Sequence, residues 1–139
     1  MQLLYRLICV LLVLALAPFS LAQDEQGSAE GSGYFAIKPG FVVNYGGAGR
    51  LRYFKTEITL RVKTGGGASG MMDVRHHLPY IRHALVMLFT RQTDEDMSSM
   101  DGRELLRQAA LKEVRRVLEE EEGEEFILDL LFDSFVIQR

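Results

Sequence analysis

The sequence has no tryptophan and a single cysteine, Cys9, which lies inside an apolar N-terminal run. Beyond that run there is no thiol, so disulfides, zinc–thiolate sites and cysteine nucleophiles are excluded there. Positive charge is not in excess either. Sixteen Lys and Arg stand against 19 Asp and Glu, a formal net charge of −3, without the basic footprint of a nucleic-acid binder. Proline is scarce, and each of Pro18, Pro39 and Pro79 marks a boundary. The glycine loops lack phosphate-cradle chemistry: no Lys-Ser/Thr pair follows Gly46 to Gly49, and no helical pattern follows at once. No GxSxG elbow occurs, and no nucleophile, base and oxyanion donor come together. These absences predict a protein that is not an enzyme and carries no cofactor. At 139 residues the chain is one domain with a modest core.

Met1 to Ala22 is what the sequence has most distinctly. Arg6 precedes an unbroken apolar run from Leu7 to Ala17, Pro18 breaks it, and Ser20-Leu21-Ala22 places small residues before Gln23. That order predicts a signal peptide cleaved before Gln23. The rival reading is a short membrane anchor, although spanning the hydrocarbon core takes about 20 apolar residues. Cys9 precedes the apolar core, which argues against a lipoprotein. Gln23 to Gly33 is polar and rich in Gly and Ser, the composition of a flexible tether.

The folded domain is expected from Tyr34 to Arg139. Tyr34 to Lys38 and Phe41 to Tyr45 read as two short extended pieces separated by the Pro39-Gly40 turn signal. Tyr53 to Lys63 is the clearest strand: Phe54, Thr56, Ile58, Leu60 and Val62 share one face and Tyr53, Lys55, Glu57, Thr59 and Arg61 the other. Period two with one charged face predicts a half-exposed antiparallel strand. Thr64 to Gly70 reads as a loop. A helix follows, beginning near Val74 or at Pro79, with Leu78, Ile81, Leu85, Leu88 and Phe89 on one stripe. Thr93 to Ser98 suits a single helical turn. Asp101, with Glu104 three residues on, is expected to cap a longer helix whose stripe is Leu106, Ala110, Val114, Val117 and Leu118 and whose end is Gly123. Phe126 to Ile137 is nearly continuously apolar and is expected to be a central strand, or one covered on both sides. Strands, then helices, then a strand predict an α+β fold: a small antiparallel sheet with two main helices on one face.

Asp73, His76, His77, Tyr80 and His83 invite a metal or ligand-binding reading. On one helix His76 and His83 would lie about 10 Å apart, too far for a single zinc ion, and the i, i+4 histidine pair is missing. Histidines at the surface or at a helix start are the expected reading, with no metal ligands. The acidic run Glu119 to Glu125 opposes the helix macrodipole and has no EF-hand spacing. It suits a solvated helix end, or a face for a basic partner. Arg107, Lys112, Arg115 and Arg116 are expected on a mixed, salt-laced helix face.

The order of motifs along the chain adds a resemblance. Tyr34-Phe35 with Lys38-Pro39, Phe41-Val42-Val43-Asn44, Arg52-Tyr53-Phe54, His77-Leu78-Pro79-Tyr80-Ile81-Arg82, Asp101-Gly102-Arg103-Glu104-Leu105-Leu106-Arg107 and Phe132-Asp133-Ser134-Phe135-Val136-Ile137-Gln138 follow one another. The series resembles the flagellar basal-body-associated FliL family from Tyr34 to Gln138. The resemblance implies a periplasmic domain similar to stomatin/prohibitin-type domains, associated with the inner membrane at the flagellar basal body. It implies a ring of copies around the flagellar stator proteins, supporting rotation, motility and chemotaxis, with no catalytic residues and no cofactor. The family positions are Asn44, Pro79, Arg82, Gly102, Arg103, Phe132, Phe135 and Gln138, in structural or interface roles. Family members usually carry a basic cytoplasmic tail and one uncleaved membrane helix; here the tail is nearly absent, and contact with the cytoplasmic membrane depends on the N-terminus remaining uncleaved. A general periplasmic scaffold of the same fold, or a periplasmic metal- or ligand-binding protein, are the alternative readings.

Overall fold

A computed structural model describes residues 31–46, 52–64 and 70–138. The expected targeting segment, most of the tether and the glycine loop at 47–49 lie outside the described residues. In chain order the elements are β1 (Gly31–Tyr45), β2 (Arg52–Thr64), α1 (Gly70–His76), α2 (Leu78–Thr90), α3 (Asp94–Ser98), α4 (Met100–Glu122) and β3 (Ile127–Gln138). The three strands form one antiparallel sheet in the order β1-β2-β3. The α+β reading holds. No helix among the described residues is long and apolar enough to cross a membrane.

The alternation in β2 settles which way the sheet faces. Phe54, Thr56, Ile58, Leu60 and Val62 are all buried, as period two requires. Onto them pack Val74 of α1, Ile81, Leu85 and Phe89 of α2, Met97 of α3, and Leu106, Ala110, Val114, Val117 and Leu118 of α4. Phe54 is the hub. Its ring lies 5.2 Å from Phe89 and 4.6 Å from Phe135, with Phe132 a further edge-on neighbour. Thr56, the buried polar residue of this face, donates its hydroxyl to the Ser134 carbonyl at 2.6 Å, so its burial leaves no unpaired group.

Several expectations change in the folded chain. The two N-terminal extended pieces are one strand, because three residues, Lys38, Pro39 and Gly40, oppose the single Glu57 in a bulge that absorbs the turn signal. The Lys38–Pro39 peptide bond is cis. β1 begins at Gly31, so Gly31 to Gly33, expected as the end of the tether, pair with Val62 to Thr64. The helical region is two helices, meeting at His77, with Pro79 in the first turn of the second. The N-cap of α4 is Ser99 and not Asp101: the Ser99 hydroxyl accepts the Gly102 N–H at 2.8 Å, and Asp101 sits in the first turn, where its charge suits the helix dipole. Glu104 turns outward to Arg107 instead of back to the backbone. Gly123 ends the helix as expected, at φ 74° with its N–H on the Glu119 carbonyl.

The largest correction concerns β3, which lies at the sheet edge. β2 is central, and no helix among the described residues covers the outer side of β3. Its apolar run looked continuous because Leu128, Leu131 and Val136 are apolar although they face outward, and because bulges at Leu128 and Asp133 shift the alternation.

Candidate functional site

Placing the family positions separates them into two groups. Six hold the fold. Pro79 starts α2. Arg82 donates to the Pro39 carbonyl at 2.6 Å and lies over the Phe41 ring at 4.4 Å, fastening the β1 bulge to α2. Gly102 is buried where α3 meets α4: an added Cβ would overlap the Asp96 carbonyl and stand 2.7 Å from Ser99 Oγ. Arg103 covers the Phe135 ring at 4.9 Å. Phe132 and Phe135 pack their rings 5.3 Å apart against the core, as expected of anchors for the last strand.

The other two, Asn44 and Gln138, come together on the outer face of the sheet. The register sets Asn44 opposite Tyr53 and Tyr53 opposite Gln138, so one exposed row crosses all three strands. The next outward row is Val42, Lys55 and Val136. Val42 is 66% exposed, Val136 53% and Tyr53 40%, unusual exposure for side chains of this size on a regular sheet. Tyr34 and Leu131 extend the same face toward the other end. Glu57 lies between the halves, opposite the bulge at Lys38 to Gly40 and beside the one at Asp133, whose carboxylate accepts the Thr59 hydroxyl at 2.6 Å. Sequence reasoning marked Tyr53 and Lys55 as outward. It missed Val42 and Val136 as a surface, because only the register makes them neighbours.

The helical side carries the charges in a different manner. Arg107 bridges Glu104 and Asp129, and the Arg107 hydrogen bond holds the Glu104 carboxyl down at about 2. Arg107 itself is raised, chiefly by Glu104. Arg116 spans Glu113 and Glu120 and is raised chiefly by its hydrogen bond to Glu120. Arg115 pairs with Glu125 at 3.0 Å and donates to the Ile127 and Leu128 carbonyls. This is the salt-laced face expected of α4. Of the acidic run, Glu120, Glu122 and Glu125 have partners within the chain, whereas Glu119, Glu121 and Glu124 point into solvent.

The histidines do not converge. His77 is buried at the α1–α2 junction with its Nε2 2.5 Å from Glu122 Oε1, and the exposed His76 packs edge-on to it at 4.8 Å. His83 lies on α2 beside Tyr80. Among the described residues no three His, Cys, Asp or Glu are grouped to hold a metal ion. The hollow lined by Lys38, Pro39, Gly40, Glu57 and Asp133 lies at the bulges and holds no nucleophile–base pair.

The domain is thus a packed helical layer on one side of a sheet whose other side is, among the described residues, uncovered and partly apolar. The model of the family described as "Flagellar basal body-associated protein FliL" matches residues 34–138, from within β1 to the end of β3. The chain belongs to the FliL family. It is similar to the "Flagellar protein FliL" of Aquifex aeolicus (strain VF5), 27% identical over 104 residues that cover 75% of this chain and 60% of that relative. It therefore spans less than two thirds of the length of the curated FliL protein it matches. All eight family positions fall within the matched residues.

Proposed function

We propose that this domain is a non-enzymatic accessory of the flagellar motor that sits at the basal body and supports stator function, and through it rotation, motility and chemotaxis. The observation that carries this reading is the family match across nearly the whole sheet and helical layer. In this reading the domain is exported to the periplasm by its N-terminal segment and stays at the inner membrane. It is similar to stomatin/prohibitin-type domains and assembles with copies of itself into a ring around the stator proteins. The surface chemistry agrees with such a role: a broad, bare sheet face suits adhesion, whereas catalysis needs convergent polar groups.

The test is the position of a periplasm-competent fluorescent fusion relative to labelled flagellar bases, with and without the stator proteins. Foci at the bases that disappear when the stators are deleted are the expected result. A functional fusion spread evenly around the periplasm would replace the motor reading with that of a general scaffold. Export is tested separately by intact mass: a chain starting at Gln23 is expected, and a membrane-bound chain retaining Met1 to Ala22 would overturn cleavage.

A further inference from the structure

Helix α4 runs along the free edge of β3 and treats its two halves differently. Met100, Arg103, Arg107 and Leu111 recur at helical spacing, and Arg115 follows one turn on, so one stripe of the helix accompanies the strand. Over the first half this stripe occupies the edge. Arg115 donates to the Ile127 and Leu128 carbonyls at 2.9 and 3.2 Å, and Arg107 binds the Asp129 carboxylate and the Leu130 carbonyl. Over the second half, Phe132 to Gln138, the side-chain hydrogen bond that reaches the strand backbone among the described residues comes from β2, from Thr56 to the Ser134 carbonyl. Arg103 lies against the Phe135 ring at 4.9 Å and donates its Nε to the Met97 carbonyl at 3.4 Å; no carboxylate among the described residues pairs with it. Met100, one turn earlier, is 87% exposed. The opposite edge of the sheet differs: β1 is broken by the bulge at Lys38 to Gly40, and Arg82 occupies the Pro39 carbonyl.

We infer that Phe132 to Gln138 accepts an extended segment of another protein as a fourth strand, one that brings a carboxylate beside Arg103. An edge strand presents a row of unpaired N–H and C=O groups, and another strand is what satisfies them. The inward side chains of the incoming segment would lie between β3 and the α4 stripe. There a carboxylate next to Phe135 meets the free amino groups of Arg103, and an apolar neighbour is covered by Met100. Its outward side chains extend the rows that end in Val136 and Gln138, where β-branched residues pack well. No carboxylate of the chain already serves Arg103. Asp133 is turned to the Thr59 hydroxyl, Glu104 is held by Arg107, and Asp101, two residues before Arg103, points to another side of the helix. A second copy is the poorer occupant, because β3 laid antiparallel on β3 over this half sets two Arg103 guanidiniums against each other.

The experiment uses the full-length chain and a capped, dye-labelled peptide matching Phe132 to Gln138 in length, with valine, glutamate and valine on one face and threonine on the other. Fluorescence anisotropy measures binding and hydrogen exchange locates it. Saturable binding with protection confined to Phe132 to Gln138 is expected. A peptide with lysine in place of the glutamate should bind about five-fold more weakly or worse, since opposite and like charges across paired strands differ by that much. Arg103→Glu should reverse the preference. That change also uncovers Phe135, so a second measurement leaves the chain unmodified and N-methylates the peptide at alternate residues. Methyl groups on the residues whose N–H groups face β3 should weaken binding by about ten-fold or more, and the other alternate set should bind as the parent peptide does. No binding at millimolar peptide, protection elsewhere in the domain, equal tolerance of the two methylated sets, or no preference for glutamate over lysine would overturn the site. Protection of the same amides by rising protein concentration without peptide would overturn the choice of a different protein and set a second copy there.

Discussion

The two faces of the central strand obey the same alternation and have opposite fates. On the inner face Phe54, Ile58, Leu60 and Val62 meet four helices and are sealed. On the outer face Tyr53, Lys55, Glu57, Thr59 and Arg61 meet no helix among the described residues, and the flanking strands add Val42 and Val136 where a solvated sheet would carry polar residues. The inner face is where stability resides, since burial and ring packing stabilise in proportion to the area removed from water. The outer face contributes little to folding. Its apolar residues are better explained by a partner than by the fold.

That contrast can be broken at its strongest point first. Phe54→Ala removes the hub of the aromatic cluster and should lower unfolding stability by about 3–5 kcal/mol, read from denaturant midpoints. A loss below about 1 kcal/mol would mean that the inner face is not the core. Gly102→Ala should cost about 2 kcal/mol, because the methyl group must push Asp96 away from the first turn of α4. An unchanged melting temperature for that variant would show that the α3–α4 corner relaxes freely.

A subtler test uses acid. The Glu104 carboxyl is held at about 2 against an ordinary value of 4.5, first by its hydrogen bond to Arg107 and then by that to Gln108. A carboxyl depressed in the folded chain contributes stability that is complete above 4.5 and is lost as the pH falls toward 2. Arg107→Met should therefore be less stable than the unmodified chain at neutral pH, and the gap should narrow through that window. Urea midpoints at about pH 7 and about pH 3 measure this, and a gap of constant size would show that the pair is not what Arg107 contributes. The smallest effect on folding belongs to the outer face. Tyr53→Ser should change stability by no more than about 0.5 kcal/mol, yet it should abolish foci at the flagellar base. If instead it destabilises as much as Gly102→Ala and leaves localisation intact, the division of labour between the faces is wrong.

Much of this architecture was readable from periodicity. The stripe Leu106, Ala110, Val114, Val117 and Leu118 is buried along α4, and Gly123 ends that helix in the left-handed conformation, because side-chain spacing and glycine's freedom are local properties. Capping was less legible. Ser99 and Asp101 are both competent caps, and the choice fell to Ser99 because α3 stops there, with Gly102 lying tightly against Asp96. The place of β3 was misread for a deeper reason. Apolar residues on both faces normally mean cover on both faces, but here Leu128, Leu131 and Val136 are exposed on one of them.

The candidate site shows the same limit. Asn44 and Gln138 stand almost at opposite ends of the folded domain in sequence, and nothing near either one points to Tyr53 between them. Sequence alone determined most of the elements, the buried stripes of β2 and α4, the family and the absence of thiol chemistry beyond Cys9, because each depends on residue type and short-range spacing. Only the tertiary structure decided that β3 is an edge, that Arg82 and Arg103 brace aromatic rings, and that Asn44, Tyr53 and Gln138 form one row. Those facts depend on strand order and register, which are fixed by long-range pairing and the bulges at Lys38 to Gly40, Leu128 and Asp133.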